Sequence, residues 1–253
     1  MRNKIAAGNW KMNTFVEEGV KLADSISVFL TSFELKENKN VMIFVPYIHL
    51  LSIKNQLVNS KILIGAQNCS QFNNGAFTGE ISASMLSNIG IKYCIIGHSE
   101  RRQFFGDTNE IINQKLNRCY ENNIIPILCC GEKLEERKFE KHFSVVENQL
   151  TEAFLNIKQE NIRNTIIAYE PVWAIGTGET ATPEQAQEMH KHIRNILSNL
   201  YDIDTAENIS ILYGGSVNAK NSELLFQQID IDGGLVGGAS LKIDDFSTII
   251  KSL

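Results

Sequence analysis

Eight short runs of β-branched and other apolar residues recur along this chain, each separated from the next by a longer stretch, and that alternation limits the folds open to it. The runs are Ile5 to Asn9, Val41 to Val45, Ile62 to Gly65, Ile91 to Gly97, Ile127 to Cys129, Thr165 to Tyr169, Ile209 to Tyr213 and Asp232 to Val236. They are nearly all apolar instead of alternating, the pattern of strands covered on both faces of a parallel sheet. Pro126 has no N–H for a strand ladder, so the fifth strand is expected to start beside it. The clearest helix opens at Thr182, whose hydroxyl can cap free amides. Pro183 takes the first helical position, Gln185 completes a capping box, and Ala186, Met189, Ile193, Ile196 and Leu200 share one face. Asn109 to Tyr120 and Phe139 to Leu155 also show helical periodicity.

Eight strand-helix units in 253 residues, with no linker-like or low-complexity tract, predict an α/β chain folded as one domain over residues 1–253, a closed (β/α)8 barrel. The alternative is an open doubly wound sheet. That fold wants a Gly-rich dinucleotide fingerprint after an early strand, and Gly8-Asn9-Trp10-Lys11 is not one.

Composition narrows the partners. A formal net charge of −5 argues against nucleic acid or an anionic membrane as the main partner, and an anionic substrate then needs a local positive site. No run approaches the roughly 20 apolar residues of a membrane span, and Arg2 and Lys4 lead into Ile5-Ala6-Ala7 without a signal-like region, so a cytoplasmic protein is expected. The five cysteines are odd in number and contain no C-x-x-C pair, so they read as reduced thiols, mostly core filler. His190 and His192 are two apart and point to different helix faces, His49, His98 and His142 stand in unrelated contexts, and no H-E-x-x-H occurs. No bound metal is expected.

Unusual polar residues and glycines fall just after the strand runs, at the end where a barrel carries its active site. Asn9 and Lys11 follow the first, His98 and Glu100 the fourth, Glu170 the sixth, Ser216 the seventh, and Gly237-Gly238 the eighth.

Six segments then resemble one family in order. They are Ala7-Gly8-Asn9-Trp10-Lys11-Met12-Asn13, Gly75-Ala76-Phe77-Thr78-Gly79-Glu80, Gly97-His98-Ser99-Glu100-Arg101-Arg102, Tyr169 to Gly178, Tyr213-Gly214-Gly215-Ser216-Val217 and Leu235 to Leu241. The chain resembles the triosephosphate isomerase family over essentially its whole length. That resemblance implies a TIM barrel acting on triose phosphates in glycolysis and gluconeogenesis, interconverting dihydroxyacetone phosphate and glyceraldehyde 3-phosphate through an enediolate. It implies no cofactor, because both oxidation changes cancel within one substrate.

The resemblance also assigns roles. Glu170 is implied as the base, and removing a proton beside a carbonyl requires a carboxylate within hydrogen-bond reach and shielded from water. His98 is implied as a neutral ring polarising the carbonyl, a tuning for which this family's histidine at a helix N-terminus is the established example. Lys11 supplies positive charge where the enediolate develops. Asn9 lends a hydrogen bond, and Glu100 anchors Lys11 or relays protons. Gly176, Ser216, Gly237 and Gly238 form the phosphate cradle, since glycines let amides approach a dianion and a helix N-terminus adds partial positive charge.

Pro171 to Ala181 reads as a lid with Ala174-Ile175-Gly176 at its tip, closing to exclude water from an enediolate that otherwise eliminates phosphate. Three positions depart from the family's usual residues: Glu179 stands where lysine is common, and Cys130 and Gly234 replace bulkier apolar residues. The Gln67 to Glu80 loop is long and rich in Asn and Gly, with Phe72 and Phe77 near its tip. The family uses it to reach the other subunit, with Thr78 approaching the partner's site, so a homodimer is expected. Two rivals remain: a barrel aldolase or lyase on another sugar phosphate, for which no Schiff-base lysine or metal cluster is visible, and a catalytically silent scaffold.

Overall fold

The apolar runs become strands because each must bury two faces at once. A computed structural model describes residues 2–175 and 180–253. Among these, β1 (Lys4–Asn9), β2 (Lys39–Val45), β3 (Ile62–Ala66), β4 (Tyr93–Ile96), β5 (Ile125–Cys130), β6 (Ile166–Tyr169), β7 (Ile211–Tyr213) and β8 (Gly233–Val236) pair in chain order. All pairings are parallel, and β8 returns to β1 with Ile5 opposite Gly233 and Gly8 opposite Val236. The sheet is therefore closed, with helices between strands, as in a (β/α)8 TIM barrel.

Closure sorts the strand residues into two cores. Ile5, Ala7, Met42, Phe44, Ile95, Ile127, Cys129, Ala168, Leu212 and Leu235 fill the barrel, whereas Ala6, Val41, Ile43, Cys94, Ile96, Leu128 and Ile167 point outward to the helices. This alternation, invisible in runs that are apolar throughout, is the period of two of a β-strand.

Boundaries shift at several places. β4 begins at Tyr93 instead of Ile91, and β5 begins before Pro126, not after it. The Ile125 amide donates to Lys92 on the β4 side at 2.8 Å, so the nitrogen of Pro126 faces β6, whose pairing starts only at Ile127 with Ile166. A missing N–H at that point costs no ladder bond. The helix expected over 139–155 runs from His142 to Ala153, and Glu140, at φ 56°, separates it from a short preceding helix, Leu134–Lys138. The Thr182 capping box forms as expected at the head of Pro183–Leu200: Thr182 Oγ1 accepts from the Gln185 amide at 3.2 Å and Gln185 Oε1 from the Thr182 amide at 3.0 Å. Ala186, Met189, Ile193 and Ile196 are buried, but Leu200 in the last turn is exposed. No helix among the described residues is long and apolar enough to cross a membrane.

Candidate active site

Loops following five strands converge on a cleft of about 300 Å³ at the C-terminal end of the barrel. Asn9, Lys11, His98, Glu170, Ser216, Gly237 and Gly238 all line it, together with Ile175, Gly214, Gly215, Val217, Asn218, Leu235 and Ala239. Seven of the nine site residues expected from the sequence thus share one cavity. Glu100 stands behind it, touching Lys11 and His98, and Gly176 lies outside the described residues, as does Glu179.

Glu170 follows β6 and is 2% exposed. Its Oε2 accepts a hydrogen bond from the Ser99 amide at 2.8 Å. Oε1 lies 3.0 Å from His98 Nε2 yet has no hydrogen-bond partner, because that approach is off the line a hydrogen bond needs. A buried carboxylate oxygen left without a directional partner costs free energy, and such atoms cluster where a ligand completes the set. Gly214 permits this placement, since a Cβ there meets Glu170 Cγ at 2.9 Å. Burial pushes the Cys129 thiol well above its ordinary value, and the neighbouring Glu170 charge adds to the shift, so the thiol stays protonated beneath the carboxylate.

His98 caps the Ser99–Phe104 helix: its Nδ1 accepts from the Glu100 amide at 3.2 Å. An acceptor nitrogen carries no hydrogen, so the single ring hydrogen of the neutral form sits on Nε2, the atom beside Glu170. The helix start thereby selects the tautomer that can donate into the cleft.

Lys11 is the one cation lining the cleft among the described residues. It adopts φ 53°, a left-handed conformation that a lysine holds only when its surroundings enforce it. The enforcement is visible: Asn9 Oδ1 accepts from the Lys11 amide at 3.1 Å, and Gln67 Nε2 donates to the Lys11 carbonyl at 2.9 Å. Its ammonium donates to Glu100 Oε1 at 2.6 Å.

The opposite wall is backbone. Gly237 precedes the 3-10 turn Gly238–Leu241, whose leading amides have no partner within the turn. A Cβ at Gly238 meets nothing within 4 Å, so the space in front of it is open. Ser216 Oγ donates to the Ala174 carbonyl, tying the loop after β7 to the segment after β6.

Two contributors escaped the sequence reading. Gln67 holds the Lys11 backbone, and Glu132, fully buried after β5, accepts at Oε1 from Tyr169 Oη at 3.0 Å, Trp173 Nε1 at 2.8 Å and Arg137 Nη1 at 3.2 Å. Glu132 thus fixes the start of the segment read as a lid. Its signal was present, a charged residue just past a strand, the same rule that singled out Glu170.

A family model described as triosephosphate isomerase matches residues 4–253. The triosephosphate isomerase of Cytophaga hutchinsonii is 49% identical over 252 residues, covering 100% of both chains. That of Porphyromonas gingivalis strain W83 is 48% identical with the same coverage, and that of Bacteroides fragilis 47% identical over 100% of this chain and 99% of the relative.

Proposed function

Because the chain belongs to the triosephosphate isomerase family, and so interconverts dihydroxyacetone phosphate and glyceraldehyde 3-phosphate in glycolysis, we propose that Glu170, His98 and Lys11 carry the reaction in the cleft described above. Glu170 removes a proton from the carbon beside the carbonyl. His98 Nε2–H and the Lys11 ammonium steady the oxygen on which negative charge grows, and Asn9 holds Lys11 in its left-handed turn. Glu170 then returns the proton to the neighbouring carbon. Glu100, against both Lys11 and His98, keeps the ammonium aimed across the cleft.

The single observation supporting these assignments is that a buried carboxylate with an unsatisfied oxygen, an imidazole whose Nε2 lies 3.0 Å from that oxygen and one lysine line the same cavity. The amides at Gly237 and Gly238, with Ser216, form the phosphate end, where barrels commonly bind phosphate. Gly176 completes that cradle in our reading and closes over it with the lid, restraining the enediolate from losing phosphate. No cofactor or metal enters this chemistry.

The same reading makes residues 1–253 one domain of a cytoplasmic homodimer. The Gln67–Glu80 loop supports it: Phe72 and Phe77 stack with ring centroids 4.0 Å apart and planes within 1°, both solvent-exposed, on a loop closed at its base by the Ser70 amide on the Ile81 carbonyl. An exposed stacked aromatic pair suits a second copy of the chain. Neither nucleic acid nor membrane is a partner in this reading.

A coupled assay on the purified protein, with sedimentation run alongside, tests the proposal. Turnover abolished by Glu170→Gln in a correctly folded protein supports it; wild-type turnover in that variant assigns the base elsewhere. A monomer with full activity overturns the dimer.

A further inference from the structure

Three cysteines far apart in sequence meet in the outer core, away from the catalytic cleft. Cys69 lies at the root of the Gln67–Glu80 loop, Cys94 is in β4 with its side chain turned outward, and Cys119 is on the buried face of the Asn109–Glu121 helix. All three are free and fully buried. The Sγ atoms of Cys69 and Cys119 are 3.7 Å apart, and all three lie within 4.8 Å of one another. A closed-shell cation with metal–sulfur bonds of about 2.3 Å holds three sulfurs at the corners of a triangle with sides of about 4 Å. The three thiols already stand at nearly that spacing without moving a backbone element.

We propose that Cys69, Cys94 and Cys119 form a trithiolate site for a thiophilic divalent cation, zinc or its heavier congener cadmium. Thiolates select such ions over the hard cations magnesium and calcium, which take oxygen ligands. Binding follows M²⁺ + 3 RSH → M(SR)₃⁻ + 3 H⁺, with no change of oxidation state. The product carries one negative charge. Beside it, Lys115, one helical turn before Cys119, donates from Nζ to Asp107 Oδ2 at 2.7 Å and to Asn68 Oδ1 at 2.9 Å, and Arg101 Nε donates to the same Asp107 oxygen at 3.1 Å. Two cations against one carboxylate leave one positive charge, the complement of the trithiolate complex. Hydrogen bonds from Cys119 and Cys94, aided by Lys115, hold the Cys69 thiol well below its ordinary value, whereas burial pushes the Cys94 thiol up and the hydrogen bond to Cys69 pushes the Cys119 thiol up, so the cation itself must displace those two protons.

Occupancy ties three elements together. Asn68, next to Cys69, also accepts from Tyr47 Oη at 2.6 Å, and Gln67 one residue earlier holds the Lys11 backbone. An ion at the cluster therefore clamps the loop root from which Lys11 is braced, raising thermal stability without contributing to the reaction.

The test is a titration of the reduced, metal-free, full-length protein with cadmium and, separately, zinc, under a phosphine reductant, following the sulfur-to-cadmium charge-transfer band, proton release and the thermal midpoint. One tight equivalent per folded chain, release of up to three protons and a raised midpoint are expected. Cys69→Ala, Cys94→Ala and Cys119→Ala each weaken binding by about 100-fold or more, while Cys130→Ala leaves it intact. Circular dichroism confirms that each variant is folded, with Cys119→Ser as a second variant of near-native volume. A folded wild-type protein that binds no tight equivalent, or a Cys69→Ala variant that binds as tightly as Cys130→Ala, overturns the site.

Discussion

The Glu170 carboxylate is held by the amide of Ser99: Oε2 accepts from that N–H at 2.8 Å, which leaves Oε1 as the oxygen facing the histidine and the cleft. One backbone donor thus decides which lone pair is available to a substrate. Its reach is set by two methylenes. Glu170→Asp withdraws the carboxylate by about 1 Å and should lower turnover on the order of 100-fold while circular dichroism stays native. Near-normal kinetics in that variant assign the base to another group.

Lys11 carries the positive charge on the cleft wall, and its ammonium is already committed to Glu100 at 2.6 Å. Lys11→Met keeps the length of the side chain and removes the charge. Loss of a donor aimed at developing charge typically costs 2.7–4 kcal/mol, so kcat/KM should fall on the order of 100- to 1,000-fold. A fall of less than about tenfold contradicts a role at the reacting oxygen.

Gly238 separates binding of phosphate from folding. An added Cβ meets no protein atom within 4 Å, so Gly238→Ala should leave the thermal midpoint within about 2 °C of wild type. The methyl group occupies the space proposed for phosphate, and KM should rise roughly tenfold, equivalent to about 1.4 kcal/mol. Kinetics on glyceraldehyde, which has no phosphate, should barely change; an equal loss on both substrates rejects the cradle.

His190 sets an acid limit on stability. It is fully buried beside Tyr169 and Tyr213, with Nδ1 on the Asp230 carbonyl at 3.1 Å, and burial pulls its pKa down from 6.5 to about 4. Between those values the unfolded chain takes up a proton that the native ring refuses. Its stabilisation is therefore complete above pH 6.5, declines as the pH falls, and by pH 4 has dropped by about 3 kcal/mol. Urea unfolding from pH 7 to 4, at one protein concentration, should show a shallower decline in His190→Asn than in wild type. Identical slopes mean that other groups govern acid unfolding.

Much of the architecture was legible before any coordinates. Runs such as Val41 to Val45 must be covered on both faces, eight of them in chain order with helices between require a parallel sheet, and the Thr182-Pro183-Gln185 cap needs only local geometry. Glu170, His98, Lys11 and Ser216 stood out because polar groups just past buried strands have one place to gather. Element ends were less legible. Pro126 sits inside β5 because its neighbour on that side begins late, and that depends on the register between strands, which no single run encodes.

Local pattern and burial thus determined which residues form strands, which face solvent, and at which end of the barrel the polar groups collect, because backbone hydrogen bonding and the removal of apolar surface from water act on segments a few residues long. Tertiary structure alone decided which oxygen of Glu170 is left free, that Gln67 braces the left-handed turn of Lys11, and that Cys69, Cys94 and Cys119 share one pocket. Those outcomes rest on contacts 50 or more positions apart along the chain, Ser99 on Glu170, Gln67 on Lys11 and Cys69 on Cys119, and such contacts exist only once the sheet has closed.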